Sequence, residues 1–468
     1  MPRSDESSGS PELLLELELR RGRLRRSLRE VLRAAVQDGR LAAGTRLPSS
    51  RRLAEDLGVS RGVVTDAYDQ LVSEGYLAVT PRSAPVVASV AGAQPPAPEP
   101  AAPRWRVDFV ATTPDVGLFP RRAWVRAVER AVARAPDAAL DYGDHRGRIE
   151  LRQALSTYLA RVRGVRVDPG RIVVTQGFTQ ALDLLCRVLA RRGRTTVAIE
   201  TPSLPDEWET VRGSGLRLVG CPVDADGLRA GMLAALGADA VVVTPAHQFP
   251  TGAVMAPARR LALLDWAAGH DGLVIEDDYD AEFRYDRTPV GAVQGLDPGL
   301  VAHVGTASKT LAPGMRLGWA SLPPDLVGEV RARKGAADSG SPAVDQLAFA
   351  DLLASGEYER HVARARQVYR RRRDRLLGAL AAMPRLRAQG AAAGMHVLLP
   401  LADAVDDVAV AAAAAASGVG VRALSPMHLA PAPGRGLLLG YGRLAESRIA
   451  DAVDALARVL VETGAAGR

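Results

Sequence analysis

Apolar positions recur along this chain with two different periods. Near the N-terminus the spacing is helical: in LRRSLREVLRAAVQDG, Leu24, Leu28, Val31, Leu32 and Ala35 share one face, and Gly39 closes the segment. Pro48-Ser49-Ser50 opens a second helix with Ser as the cap, with Leu53, Ala54 and Leu57 facing inward and Gly58 at its end. Ser60 caps a third, SRGVVTDAYDQLVSEG, whose inward face is Val64, Ala67, Tyr68 and Leu71. Two short helices joined by a tight Gly-containing turn predict a helix-turn-helix, and the strand-like YLAVT and APVVA after Gly75 supply a wing.

From residue 105 onward the period changes. The apolar runs IVVTQG, TTVAIE, LRLVGCPV, AVVVTP, GLVIEDDY, VAHVGT and RLGWASL alternate with helical stretches of crossover length. That alternation predicts an α/β core, a mostly parallel sheet with helices on both faces. After about residue 345, long helical stretches precede MHVLLPL and GLLLGYG, which predict a smaller C-terminal α+β subdomain. Between the two regimes lies 88–103, ASVAGAQPPAPEPAAP, too rich in Pro and Ala to build a core. As polyproline II this linker would reach about 50 Å at ~3.1 Å per residue. The expected division is 12–87, 88–103 and 104–468.

Composition narrows the class. With 468 residues, 47% hydrophobic and 24% charged, the chain can bury a large core, and the length suits two to four domains. No run approaches the length of a membrane span, and the N-terminal MPRSDESSGSPELLLELELRR has no small-residue cleavage site and does not read as a signal peptide. Two cysteines, Cys186 and Cys221, make neither a disulfide framework nor a zinc cluster, so no metal is expected and a reducing cytoplasm is the expected compartment. The net charge of +7 is unevenly placed: Arg20 to Arg61 holds twelve arginines against Glu30, Asp38, Glu55 and Asp56. A basic face on one small segment is the footprint of a protein that binds a phosphate backbone. Among the 60 Lys and Arg residues only Lys309 and Lys334 are lysines. Each surviving lysine is therefore a candidate for amine chemistry, which a guanidinium cannot perform because it does not deprotonate.

Candidate chemistry gathers at strand ends, where ligands sit in such sheets. Lys309 follows the strand VAHVG, flanked by Thr306 and Ser308 and followed by Arg316, while Asp277 and Tyr279 close another buried strand. A lysine for a Schiff base, a carboxylate for a pyridinium nitrogen, a phenol for a ring hydroxyl and an arginine with hydroxyls for a phosphate are together what pyridoxal phosphate needs. Lys334, in RARKGAAD, has no motif around it and is expected at the surface.

The segment LAAGTRLPSSRRLAEDLGVSRGVVTDAYDQLVSEGYL resembles the winged helix of the GntR family of bacterial transcription regulators. The resemblance implies that Arg51 at the start of the second helix, and Ser60, Arg61 and Gly62 at the start of the third, meet double-stranded operator DNA, with Arg52 and Arg46 on the backbone and Arg82 at the wing within reach of a phosphate. Arginine can donate two bonds to guanine, and Ser with helix N-terminal amides suits phosphate. The blocks YGDHRGRIELRQAL, VTQGFTQALDLL, TPAHQFPTGAVM, EDDYDAEFRY and SKTLAPGMRLGW resemble fold type I aminotransferases, and more closely the MocR group that fuses the two modules. By that resemblance Lys309 forms the aldimine with pyridoxal 5'-phosphate, Asp277 pairs with the pyridine nitrogen and Tyr279 bonds the ring hydroxyl. Gly177, Phe178, Thr179, Thr306, Ser308 and Arg316 then cup the phosphate. His247 either supports the site as a hydrogen-bonded loop histidine or touches the cofactor.

Two departures bear on function. Leu204 stands where many relatives have an aromatic that stacks on the cofactor, and Asp206 where some bind the ligand's carboxylate with Arg. Leu438 stands where aminotransferases carry the arginine that clamps the substrate carboxylate, with Arg435 and Arg443 nearby but out of register. Losing a bidentate clamp argues against efficient transamination. The expectation is a homodimeric regulator that senses pyridoxal phosphate, or an amine or amino-acid effector, through the Lys309 aldimine, with genes of vitamin B6 or amino-acid metabolism as its targets. The alternative is a working aminotransferase with an appended DNA-binding domain.

Overall fold

One serine cap and left-handed glycines mark the helix ends in the N-terminal unit. The computed structural model describes residues 24–79, 83–88, 105–110, 113–286, 290–383, 387–390 and 392–465. Residues 12–23 of the expected first domain, 89–103 of the linker and Arg82 lie outside the described residues. The chain divides into two compact units, Met1–Pro103 and Arg104–Arg468.

The first unit contains α1 (Leu24–Gln37), α2 (Ser50–Leu57), α3 (Arg61–Ser73) and the hairpin β1 (Leu77–Ala78) and β2 (Val86–Val87). Ser49 caps α2 by accepting from the Arg52 N–H at 3.3 Å, and Gly58 ends it with φ 61°. The expected side-chain cap on α3 is absent: Ser60 holds the cap position, but its hydroxyl makes no cap bond. Leu28, Leu32 and Ala35 of α1 close over Val64, Ala67, Tyr68 and Leu71 of α3 in one small core, as the spacing predicts. The antiparallel β1–β2 pair is the wing.

The second unit runs β3 (Val107–Asp108), α4 (Arg121–Arg134), α5 (Ile149–Arg163), β4 (Ile172–Thr175), α6 (Phe178–Arg191), β5 (Thr196–Thr201), α7 (Pro205–Gly213), β6 (Arg217–Asp224), β7 (Gly227–Leu228), β8 (Ala240–Val243), α8 (Pro257–His270), β9 (Leu273–Asp278), β10 (Val301–Thr306), β11 (Gly318–Ser321), α9 (Val327–Asp338), α10 (Ala343–Ala354), α11 (Glu357–Leu380), β12 (His396–Leu401), α12 (Asp407–Ala416), β13 (Val419–Gly420), β14 (Arg422–Ala423), β15 (Arg435–Gly440) and α13 (Ile449–Glu462). Its main sheet has the order β4-β11-β10-β9-β8-β5-β6-β7. Strands β10, β9, β8, β5 and β6 are parallel, whereas β11 runs antiparallel to both its neighbours. Separate apolar clusters cover its two faces, as buried parallel strands require. A second sheet, β12-β15-β14, belongs to the C-terminal portion. No helix among the described residues is long and apolar enough to cross a membrane.

Candidate functional site

In the first unit, charge pairing is lopsided. Arg25 pairs with Asp66 at 3.1 Å, Arg26 with Glu30 at 2.7 Å, Arg33 with Glu74 at 2.5 Å, and Arg51 with Glu55 at 3.2 Å. Arg46, Arg52 and Arg61 are exposed and make no ion pair with any described residue. Arg61 reaches only the Ser50 hydroxyl, at 3.4 Å, which ties the start of α3 to the start of α2. Ser60 and Gly62 flank it in the open, and a Cβ on Gly62 would meet nothing within 4 Å. An unneutralised cation and open helix-start amides thus meet at the N-terminal end of α3, with Arg52 exposed on α2 and Arg46 exposed ahead of it, which suits phosphate oxygens and base edges. If Arg61 reads a base, Arg61→Ala should weaken operator binding by about 1–3 kcal/mol in a mobility-shift titration. Unchanged affinity would remove it from the contact surface.

In the second unit the parallel strands deliver their chemistry at their C-terminal ends, since all point the same way. Strand β4 leads through Gln176 and Gly177 into α6, so the amides of Phe178 and Thr179 occupy a helix start with no side-chain cap. Gly177 has φ 97°, a conformation that favours glycine. Gly318 is also required, because a Cβ there would lie 2.7 Å from the Gly177 α-carbon. Arg316 donates to the Gln176 carbonyl, and its guanidinium stands beside Gly177. At the end of β10, the Thr306 hydroxyl accepts from the Ser308 N–H at 3.1 Å and lies 2.9 Å from the Ser308 hydroxyl. Amides, hydroxyls and a guanidinium converge into a cradle for an anion.

Beside the cradle is a cavity of about 210 Å³, lined by Lys309, Asp277, Tyr279, Phe178, Thr179, Thr306, Ser308 and Arg316 among others. Eight of the ten residues expected from the sequence therefore share one cavity. The other two adjoin it: Gly177 through Arg316, and His247 through Tyr279, whose hydroxyl is 3.0 Å from both the His247 carbonyl and Nδ1. His247 is buried, and its Nδ1 lies 2.9 Å from Asp280, which makes Nδ1 the donor there and leaves Tyr279 to donate to the carbonyl. His247 thus joins Asp280 and Tyr279 in one buried hydrogen-bonded group.

Neighbouring carboxylates on β9 are driven apart because successive residues face opposite sides of the sheet. Burial raises Asp277 well above the usual carboxylate range, helped by Glu207 and Asp278 and opposed by Lys309, and its Oδ1 has no partner among the described residues. Burial pushes Asp278 upward too, but Arg163, with Nε at 2.7 Å, and His303, with Nε2 at 2.9 Å, overcome it and hold Asp278 well below that range. Lys309 Nζ stands 6.0 Å from the Tyr279 ring centroid. Burial lowers its affinity for a proton, against the pull of Asp280 and Asp277, which favours the nucleophilic amine.

The structure corrects one expectation. Lys334 is not at the surface: it is 0% exposed on α9, with Nζ 2.6 Å from Asp338 and 3.3 Å from the Gln180 side chain. Gln180 in turn accepts the Gln176 N–H at 2.8 Å, so the second lysine braces the loop that carries the cradle. Apolar spacing could not reveal it, because its partner on α6 is 154 residues away. Sequence reasoning also passed over Glu200, whose carboxyl is pushed up to about 7 by burial, although hydrogen bonds from Thr244 and Gln248 pull it back. An acid inside the apolar run TVAIE was the available sign. Leu204 lines the cavity as expected, together with Phe249. Arg435 is spent on the Ser425 hydroxyl and the Ala432 carbonyl, while Leu438 is buried on β15.

Comparison with known proteins places both units. The family model "Bacterial regulatory proteins, gntR family" matches residues 24–87, and "Aminotransferase class I and II" matches residues 113–439. The "Probable rhizopine catabolism regulatory protein MocR" of Rhizobium meliloti is 31% identical over 92% of this chain and 93% of its own length. The "HTH-type pyridoxine biosynthesis transcriptional regulator PdxR" of Corynebacterium glutamicum is 32% identical over 89% and 91%. Among solved structures, an archaeal alanine:glyoxylate aminotransferase superposes with a TM-score of 0.70 at 29% identity, over 76% of this chain and 91% of that one.

Proposed function

Since the chain belongs to the regulators that join a GntR-family helix-turn-helix to a class I and II aminotransferase domain, we propose that it controls transcription in response to ligands met at Lys309. The carrying observation is that Asp277, whose Oδ1 has no partner among the described residues, lines the cavity that Lys309 and the anion cradle share. Pyridoxal phosphate fits this arrangement. When bound, it supplies an aldehyde for the Lys309 amine, which an amine ligand can take over, and a ring nitrogen whose proton satisfies Asp277. Phe178, Thr179, Thr306, Ser308 and Arg316 hold the phosphate, with Gly177 allowing its close approach. Tyr279 hydrogen-bonds the ring hydroxyl, kept in place by His247. Leu204 gives apolar contact in place of an aromatic.

On the DNA side, Arg61, Ser60 and Gly62 at the start of α3, with Arg51, meet the operator, and Arg46 and Arg52 hold its backbone. The working units are 12–87 and 104–468, joined by 88–103. A cytoplasmic homodimer presents two winged helices to paired half-sites. Tyr142, 89% exposed, and Leu140 offer apolar surface for that association. Genes of vitamin B6 supply are a natural target, in keeping with the Corynebacterium relative's name as a pyridoxine biosynthesis regulator. Footprinting the DNA upstream of the gene with and without pyridoxal phosphate tests the reading: the expected result is a protected site whose extent or affinity changes with cofactor. Protection that ignores the cofactor would sink the sensor. A working aminotransferase, favoured by the complete Lys309, Asp277 and Arg316 set, would instead convert fully to the amine form of the cofactor with most amino acids tried.

A further inference from the structure

The small sheet β12-β15-β14 has two unlike faces. Leu437 and Leu439 of β15, with Val397, Leu399 and Leu401 of β12, pack into the apolar core. Side chains alternate along a strand, so His396, Leu398 and Leu438 occupy the other face. That face looks toward the Lys309 cavity: the His396 ring is 5.0 Å from His247 and 5.2 Å from Phe249, and Phe249 lines the cavity. Directly opposed residues of antiparallel strands project to the same side. Leu438 is opposed by Leu398 on one flank and by Arg422 on the other. Arg422 therefore joins the cavity-facing side, one strand over from Leu438. It is exposed and makes no side-chain hydrogen bond or ion pair with any described residue. Its charge nonetheless reaches the Lys309 amine, whose proton affinity it lowers.

The charges around the cavity leave a carboxylate little choice of partner. Glu200, Asp206, Glu207 and Asp277 line it, against only Lys309 and Arg316. Arg316 is committed to the Gln176 carbonyl and the anion cradle, and the four acids offer a further anion no positive charge on their side. From this placement we infer that Arg422 binds the carboxylate of an effector whose primary amine is presented at Lys309, doing from the adjacent strand what Leu438 cannot. The inference rests on the reading of Lys309 as the cofactor lysine, and it gives the effector class as amino acids over simple amines.

The protein loaded with pyridoxal phosphate is titrated, by cofactor absorbance, with amines matched in shape, a methyl group standing in place of the carboxylate: L-alanine against isopropylamine, and β-alanine against propylamine. In the wild type, at least one carboxylated member binds about tenfold or more tightly than its partner, the size expected of a charged hydrogen bond. In Arg422→Gln that ratio falls to near one, and adding Leu438→Arg to the same chain brings the preference back. Arg435→Gln keeps the wild-type ratio. A wild type that shows no preference, or an Arg422→Gln protein that retains it, overturns the inference. Failure of the underlying reading looks different, because a chain that gains no Lys309-dependent absorbance with pyridoxal phosphate fails before any amine is added.

Discussion

Lys309→Ala protein mixed with pyridoxal phosphate develops no visible band of lysine-bound cofactor, whereas wild-type protein does. The whole signal is lost because Lys334 is buried against Asp338 and cannot substitute. Lys309→Arg behaves the same way: it keeps a positive charge beside Asp277 and Asp280 but has no lone pair to offer. Comparing the two variants separates the amine's chemistry from its charge. Operator DNA supplies a second readout, since both variants lose any change in footprint that the cofactor produces in wild type. An Ala variant that showed the full wild-type band would remove Lys309 from the centre of the site.

The largest loss of stability is expected at Asp278. Its carboxylate serves Arg163 and His303 at once, and all three side chains are buried. Asp278→Ala strands a guanidinium in the interior, which costs about 3–5 kcal/mol, readable as a lower denaturant midpoint. The pH dependence has a definite sign. The folded carboxyl sits below its unfolded value, so its contribution is complete above about pH 4 and drains away as pH falls through the folded value. Acidification below about pH 4 therefore erodes wild-type stability, and Asp278→Ala flattens that slope. A variant as stable as wild type at neutral pH would show that the cluster is replaceable.

The two carboxylates at the end of β9 show what a sequence can and cannot disclose. EDDYDAEFRY marks a strand end crowded with acids, and its place after an apolar run brings Asp277 and Tyr279 to the cavity. Which acid is neutralised depends on Arg163, at the end of α5 and 115 residues away, and no local period carries that information. The helices of the first unit were legible because capping residues and glycines act on their own neighbours. Ser60 occupies the cap position by sequence, but the residue type alone does not fix whether its hydroxyl turns to the helix amides, and here it makes no cap bond. Strand β14 is two residues long, too short to show alternation, so Arg422 acquires its meaning only when ladder register sets it opposite Leu438. The same holds for the β3–β13 pair, whose partners lie more than 300 residues apart.

The scarcity of lysine acquires a physical sense once both lysines are placed. Aldehydes condense with any accessible primary amine, so a protein surface dressed in lysine captures them indiscriminately. This chain writes its positive surface in guanidinium, which does not react in that way at neutral pH, and keeps its one spare ε-amine 0% exposed. Background capture by lysine side chains is thereby nearly absent, and the fraction of molecules carrying a carbonyl adduct on a lysine measures occupancy at Lys309 alone.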